Sequence, residues 1–161
     1  MTPLLQAAAI GVAALGTGAT AVTLMNQDVP DLAVPAGSWD AGSELDGRAF
    51  RLTSVIKENG EVLEDTVFSF EGGAFQSSRC QIYCDFGWTG YQTWTEGEVT
   101  HFTTTTRCPD APHTVVWYGT VEGDEMRFEG TWTPRRWYWT HQINGAGGGP
   151  EIAAPDSAVS G

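Results

Sequence analysis

Between Arg48 and Ile143 the sequence alternates apolar and polar residues in short runs and breaks repeatedly on hairpin-type turns, which restricts the fold more than any other feature. A period of two belongs to strands with one face buried. Eight runs are legible, over 48–56, 63–70, 74–79, 90–95, 99–106, 114–121, 126–133 and 136–143. Lys57-Glu58-Asn59-Gly60, Glu71-Gly72-Gly73, Glu96-Gly97 and Glu122-Gly123-Asp124 separate neighbours as tight turns do. In the run 126–133, Met126, Phe128, Gly130 and Trp132 share one face, and Arg127, Glu129, Thr131 and Thr133 the other. Val115, Trp117, Gly119 and Val121 form a comparable face in the run before it. Consecutive strands with short connections predict an all-β, eight-stranded up-and-down barrel, since closure removes exposed edges. A two-layer sandwich is the alternative.

Aromatic residues place the core. Of the 18 Phe, Trp and Tyr residues, all except Trp39 lie between Phe50 and Trp139. Only this zone has the bulky side chains to close a core of its own. The formal charge is -12, and no Lys or Arg precedes Arg48. So large an acidic excess argues against a nucleic-acid partner, whose phosphates are held through Lys and Arg contacts.

The stretch 4–25 is uncharged, with Gln6 its only strongly polar residue. As a helix rising about 1.5 Å per residue it reaches about 33 Å, enough for a bilayer core of about 30 Å. It predicts an N-terminal apolar helix ahead of the barrel, acting as a transmembrane anchor. Gly11, Ala14 and Gly18 give that helix small contact positions where another membrane helix can approach. The rival reading is a signal peptide cleaved near Ala21, at Ala19-Thr20-Ala21, although the basic opening of a signal is missing. The expected layout is an anchor or signal at 1–26, an acidic linker at 27–45, the barrel at 46–145 and a flexible Gly/Ala/Pro tail at 146–161. If that tail is ordered, another part of the protein must hold it. Both readings of the leader put the barrel in the periplasm, anchored to the inner membrane or else soluble or secreted after cleavage.

Leu45-Asp46-Gly47, Glu71-Gly72-Gly73-Ala74-Phe75, Ser77-Ser78-Arg79-Cys80, Phe86-Gly87, Tyr91, Trp117–Asp124 and Gly130-Thr131-Trp132 carry a family likeness. In this order they resemble small bacterial lipocalin-like (calycin-type) β-barrel proteins, over residues 45–145. The resemblance implies a lipocalin-like barrel and no particular activity, since many such proteins have none assigned. Lipocalins carry Gly-x-Trp near the first strand. Gly37-Ser38-Trp39 has that form but lies upstream of the first run, which leaves Trp39 as a candidate plug for a barrel end. The resemblance also places a cysteine where Cys80 stands, which makes Cys84 and Cys108 the favoured disulfide. Cys80–Cys108 and a small Cys80–Cys84 loop remain open.

The residues offer little chemistry. His101, His113 and His141 lie on separate runs, and a zinc site needs more ligands near Cys80 and Cys84 than the sequence supplies. His141 is the one haem-ligand candidate, and packed or surface histidines are the simpler account. No serine sits in a Gly-x-Ser-x-Gly elbow, and Glu64-Asp65 and Asp124-Glu125 read as solvated turn charges. No enzyme, cofactor or metal is expected. In the last run, alternation would put Arg136 and Tyr138 on one face, a composition suited to a protein interface. The leading expectation is therefore a non-catalytic, membrane-tethered periplasmic barrel serving as an accessory subunit of an envelope complex. The alternative is a periplasmic or secreted carrier of a small apolar ligand, which needs a cavity inside the barrel.

Overall fold

The computed structural model describes residues 34–155. The expected apolar helix, with Gly11, Ala14 and Gly18 and the site near Ala21, lies outside those residues. Among the described residues no helix is long and apolar enough to cross a membrane.

In chain order the elements are β1 (Asp40–Ala41), β2 (Ala49–Ile56), β3 (Val62–Glu71), β4 (Ala74–Ser77), α1 (Ser78–Cys84), β5 (Thr89–Gly90) and β6 (Gln92–Glu96). They continue with β7 (Val99–Arg107), β8 (Thr114–Glu122), β9 (Glu125–Thr133), β10 (Arg135–Arg136), β11 (Trp139–Thr140) and β12 (Ile143–Ile152). Ten strands form one antiparallel sheet in the order β1-β6-β7-β8-β9-β12-β2-β3-β4-β5, and β10 pairs with β11 as a separate hairpin. β5 lies at one margin and β6 next to the other, yet only Tyr91 separates them in the chain. The sheet is thus a nearly closed, barrel-like ring.

Three expectations need correction. The sheet has ten strands rather than eight, because two-residue β1 and β5 flank the seam. The run 74–79 stops as a strand at Ser77 and turns into α1, which ends where Asp85 adopts a left-handed φ of 47°. The run 136–143 is no barrel strand. Its place is taken by β12, most of which falls in the supposed flexible tail.

β12 is held on both sides: Gly147 pairs with Phe128 of β9 and with Ser54 of β2. Glycine's poor strand propensity reflects the missing side chain, not an inability to join a ladder. Here glycine is required. A Cβ on Gly147 would collide with the Thr53 carbonyl and Ser54, and one on Gly149 with the Arg51 carbonyl. At its far end β12 is fastened by Glu151, whose carboxylate accepts Arg48 Nε at 3.0 Å and Nη2 at 2.7 Å.

The inward faces match the alternation read from the sequence. Phe50, Leu52, Phe68, Phe70, Phe75, Phe102, Met126 and Phe128 form one buried cluster, with Trp117 packed against it. Gly130 faces the Trp117 indole, where a Cβ would stand 2.7 Å from the ring. Leu45 closes the cluster at the end that carries the 71–73, 97–98 and 123–124 turns. Beside it, Asp46 accepts the Gly73 N–H at 2.9 Å and the Tyr91 hydroxyl at 2.8 Å. Trp39 does not plug a barrel end. It packs on the outer face, its ring 6.0 Å from Trp94 and 6.5 Å from Tyr118.

The seam tyrosine sets an alkaline limit on stability. Burial, followed by its hydrogen bond to Asp46, pushes the Tyr91 hydroxyl well above its ordinary range. Above a pH of about 10 the unfolded chain releases a proton that the folded chain retains, so stability falls as pH rises further. Thermal unfolding midpoints should therefore drop beyond that pH. Tyr91→Phe should flatten the dependence without abolishing it, because burial raises Tyr118 as well. An unchanged slope in Tyr91→Phe would count against Tyr91 as its source.

Candidate functional site: an apolar cavity under a helix

The other end of the barrel carries α1, the 108–113 loop, the β10–β11 hairpin and the 57–61 turn. The aromatic cluster stops short of it, leaving a cavity of about 230 Å³. Phe68, Trp117 and Phe128 form its floor, Ile56, Leu63, Val115 and Ile143 its walls, and Tyr83, Phe86 and Trp132 its lip. The cavity follows from a change in side-chain size along the strands. Leu52, Phe75 and Phe128 point inward at core level, and their next inward neighbours are Ser54, Ser77 and Gly130. Gly145 of β12 sits opposite Gly130, so two adjacent inward positions carry no side chain at all. This volume exceeds the roughly 150 Å³ cavity known to hold benzene but falls below the roughly 300–1,000 Å³ of drug-sized sites. One ring or a short chain fits.

α1 covers the opening and is fastened at several points. The Cys84–Cys108 disulfide ties it to the loop after β7, with Cα atoms 5.6 Å apart. Arg79 donates from Nε to Thr66 Oγ1 at 3.2 Å and from Nη2 to the Glu64 carbonyl at 3.0 Å, reaching β3. Asp65, the neighbour of Glu64, is left-handed at φ 57°, beside the register shift between Leu52 and Ser54. The Tyr83 ring stacks on Trp132, with centroids 6.0 Å apart.

The favoured disulfide of Cys84 and Cys108 is present, and Cys80 remains a free, buried thiol on the cavity wall. Burial pushes its pKa up to about 11, against partial relief from the Ser77 and Thr106 hydroxyls. It is therefore a neutral, small apolar group rather than a nucleophile.

The other candidates lie apart from the cavity. The β10–β11 hairpin turns at Trp137 and Tyr138, so strand alternation does not sort these side chains. Trp137 is 88% exposed and contacts Tyr138 edge-on at 5.1 Å, and Arg136 is exposed beside them. His101 lies on the outer face, with Nδ1 2.8 Å from the Tyr118 hydroxyl. His113 Nδ1 accepts the Arg135 N–H at 3.0 Å, and burial, then the charges of Arg136 and Arg135, hold it below its ordinary value. His141 follows β11 and donates its backbone N–H to the Pro134 carbonyl. No group of three potential metal ligands occurs among the described residues.

Sequence reasoning quoted Ser77 and Arg79 only within the family likeness, without a role, and left an internal cavity as the requirement of the carrier alternative. The signal that would have found them is the layer of small inward residues directly above an aromatic layer. Comparison with protein-family models, curated proteins and solved structures gives no match to the chain.

Proposed function

We propose that this is a non-catalytic, lipocalin-like barrel that binds a small apolar molecule in the cavity beneath α1. The observation that carries the reading is a half-open cavity of about 230 Å³ at the α1 end of the barrel, lined mainly by apolar side chains. Apolar surface that enters such a space leaves water, and that transfer supplies the binding free energy. Trp117 and Trp132 line it, so occupancy is readable in tryptophan fluorescence.

Gly145→Leu supplies the test. A Cβ there meets nothing closer than the Val55 carbonyl at 3.7 Å, so a larger side chain enters the cavity without striking backbone. The intact protein should bind octane or toluene with a saturable fluorescence change, and Gly145→Leu should lose binding while its unfolding midpoint holds or rises. Failure of the intact protein to bind, or equal binding by the variant, would sink the proposal.

A second reading, the accessory subunit, draws support from the exposed hydrophobic side chains Ile82, Tyr83, Trp88, Trp137 and Tyr138 on the segments at the cavity end. A partner would cover them. Native mass analysis after detergent extraction tests this reading, and recovery of the full chain as a soluble free monomer would exclude it.

A further inference from the structure

The cavity is not uniformly apolar. Ser77, the last residue of β4, points inward like Phe75 two positions earlier and is 2% exposed. Among the described residues, its Oγ is the buried side-chain oxygen or nitrogen with no oxygen or nitrogen hydrogen-bond partner, although it stands near enough to the Cys80 thiol to ease its ionisation, and it lines the cavity. The polar groups around it are already engaged. Thr106 Oγ1 donates to the Val115 carbonyl at 3.4 Å and accepts from Trp117 Nε1 at 3.1 Å. Thr66 Oγ1 accepts from Arg79 Nε. The adjacent Cys80 sulfur is a weakly polar, protonated thiol and a poor substitute for oxygen. A buried hydroxyl with no partner is costly, and native structures rarely leave one without a purpose.

Resting on the reading of the cavity as a ligand site, we propose that its ligand is uncharged and amphipathic. An apolar ring or short chain would fill the space above Phe68, Trp117 and Phe128, and one hydroxyl or carbonyl oxygen would hydrogen-bond Ser77 Oγ. A charged head is disfavoured. Arg79 is the one cation in the lining, and two of its donors are spent on β3. Glu61 lines the cavity as well, so its ionised side chains leave no net positive charge to compensate a buried carboxylate.

Octane, octanol and octanoate share a chain and differ only at the head, and each can be titrated at neutral pH against the intact protein, Ser77→Ala and Gly145→Leu. The intact protein should bind octanol at least as tightly as octane, and octanoate most weakly. Ser77→Ala should weaken octanol about tenfold, the value of one net hydrogen bond, and leave octane unchanged. Octanol weaker than octane in the intact protein, octanoate the tightest of the three, or an equal effect of Ser77→Ala on octane and octanol would each overturn the proposal. The first and third of these would leave the cavity standing as an apolar site, provided Gly145→Leu blocks octane. If none of the three ligands binds, the cavity reading falls and this inference with it. Should Ser77→Ala fail to fold, the ligand order in the intact protein decides.

Discussion

Gly147→Val should prevent the barrel from closing. The added Cβ would overlap the Thr53 carbonyl and the Ser54 backbone, atoms fixed by ladder pairing that cannot rotate away. Relief requires β12 to part from β2, and every pair from Gly145↔Ile56 to Ile152↔Ala49 weakens with it. Overpacking in an adaptable core costs about 1–3 kcal/mol, and a clash against backbone belongs above that range. For a domain with total stability of about 5–15 kcal/mol, most of the folded population is at risk. Circular dichroism and thermal unfolding, with Gly145→Leu as the control in the same strand, make the comparison. A Gly147→Val protein with an unchanged midpoint would show that β12 is not held as described.

Removing the disulfide should have the next largest effect. Cys84 and Cys108 are separated by 24 residues, and cross-linking a loop of this size stabilises by about 3 kcal/mol through the unfolded chain. The double variant Cys84→Ser, Cys108→Ser should unfold roughly 10 °C lower, with about half that shift as the least that counts. Reductant should shift the intact protein to the same midpoint and leave the variant unmoved. α1 would keep its Arg79 and Tyr83 contacts but lose its tie to the β7–β8 loop, so octanol should dissociate faster. Equal midpoints with and without reductant would remove the disulfide from the account.

Much of this fold is legible in the residues, and the exceptions share a physical cause. Met126, Phe128, Gly130 and Trp132 announce β9 because one face must be buried, and turn glycines such as Gly97 and Gly123 mark where hairpins reverse at positive φ. β12 is invisible to that logic. Gly145-Ala146-Gly147-Gly148-Gly149 has no amphipathic pattern, and its strand state is imposed by the two ladders on either side. Arg136 to Thr140 errs the opposite way: aromatic and β-branched residues suggest a long strand, but Pro134 interrupts the ladder and the chain folds into a hairpin off the barrel. The cavity lay hidden because Ser54, Ser77, Gly130 and Gly145 come from four strands and meet only after the sheet curls. The cysteine pair was legible through family likeness, whereas the unpaired hydroxyl of Ser77 required a census of its neighbours.

The position of β12 in the chain also bears on how the molecule is made. Arg48 and Glu151, bonded in the finished ring, are 103 residues apart, so closure belongs to the slow, high-contact-order end of folding. A chain growing from its N-terminus exposes the unpaired edges of β2 and β9 until residues 143–152 are synthesised. An open edge recruits foreign strands most readily when the offered segment is hydrophobic and poor in glycine. The segment that finishes this barrel is nearly all glycine through its middle, so it fits its own gap while offering little to the gap of a neighbouring chain.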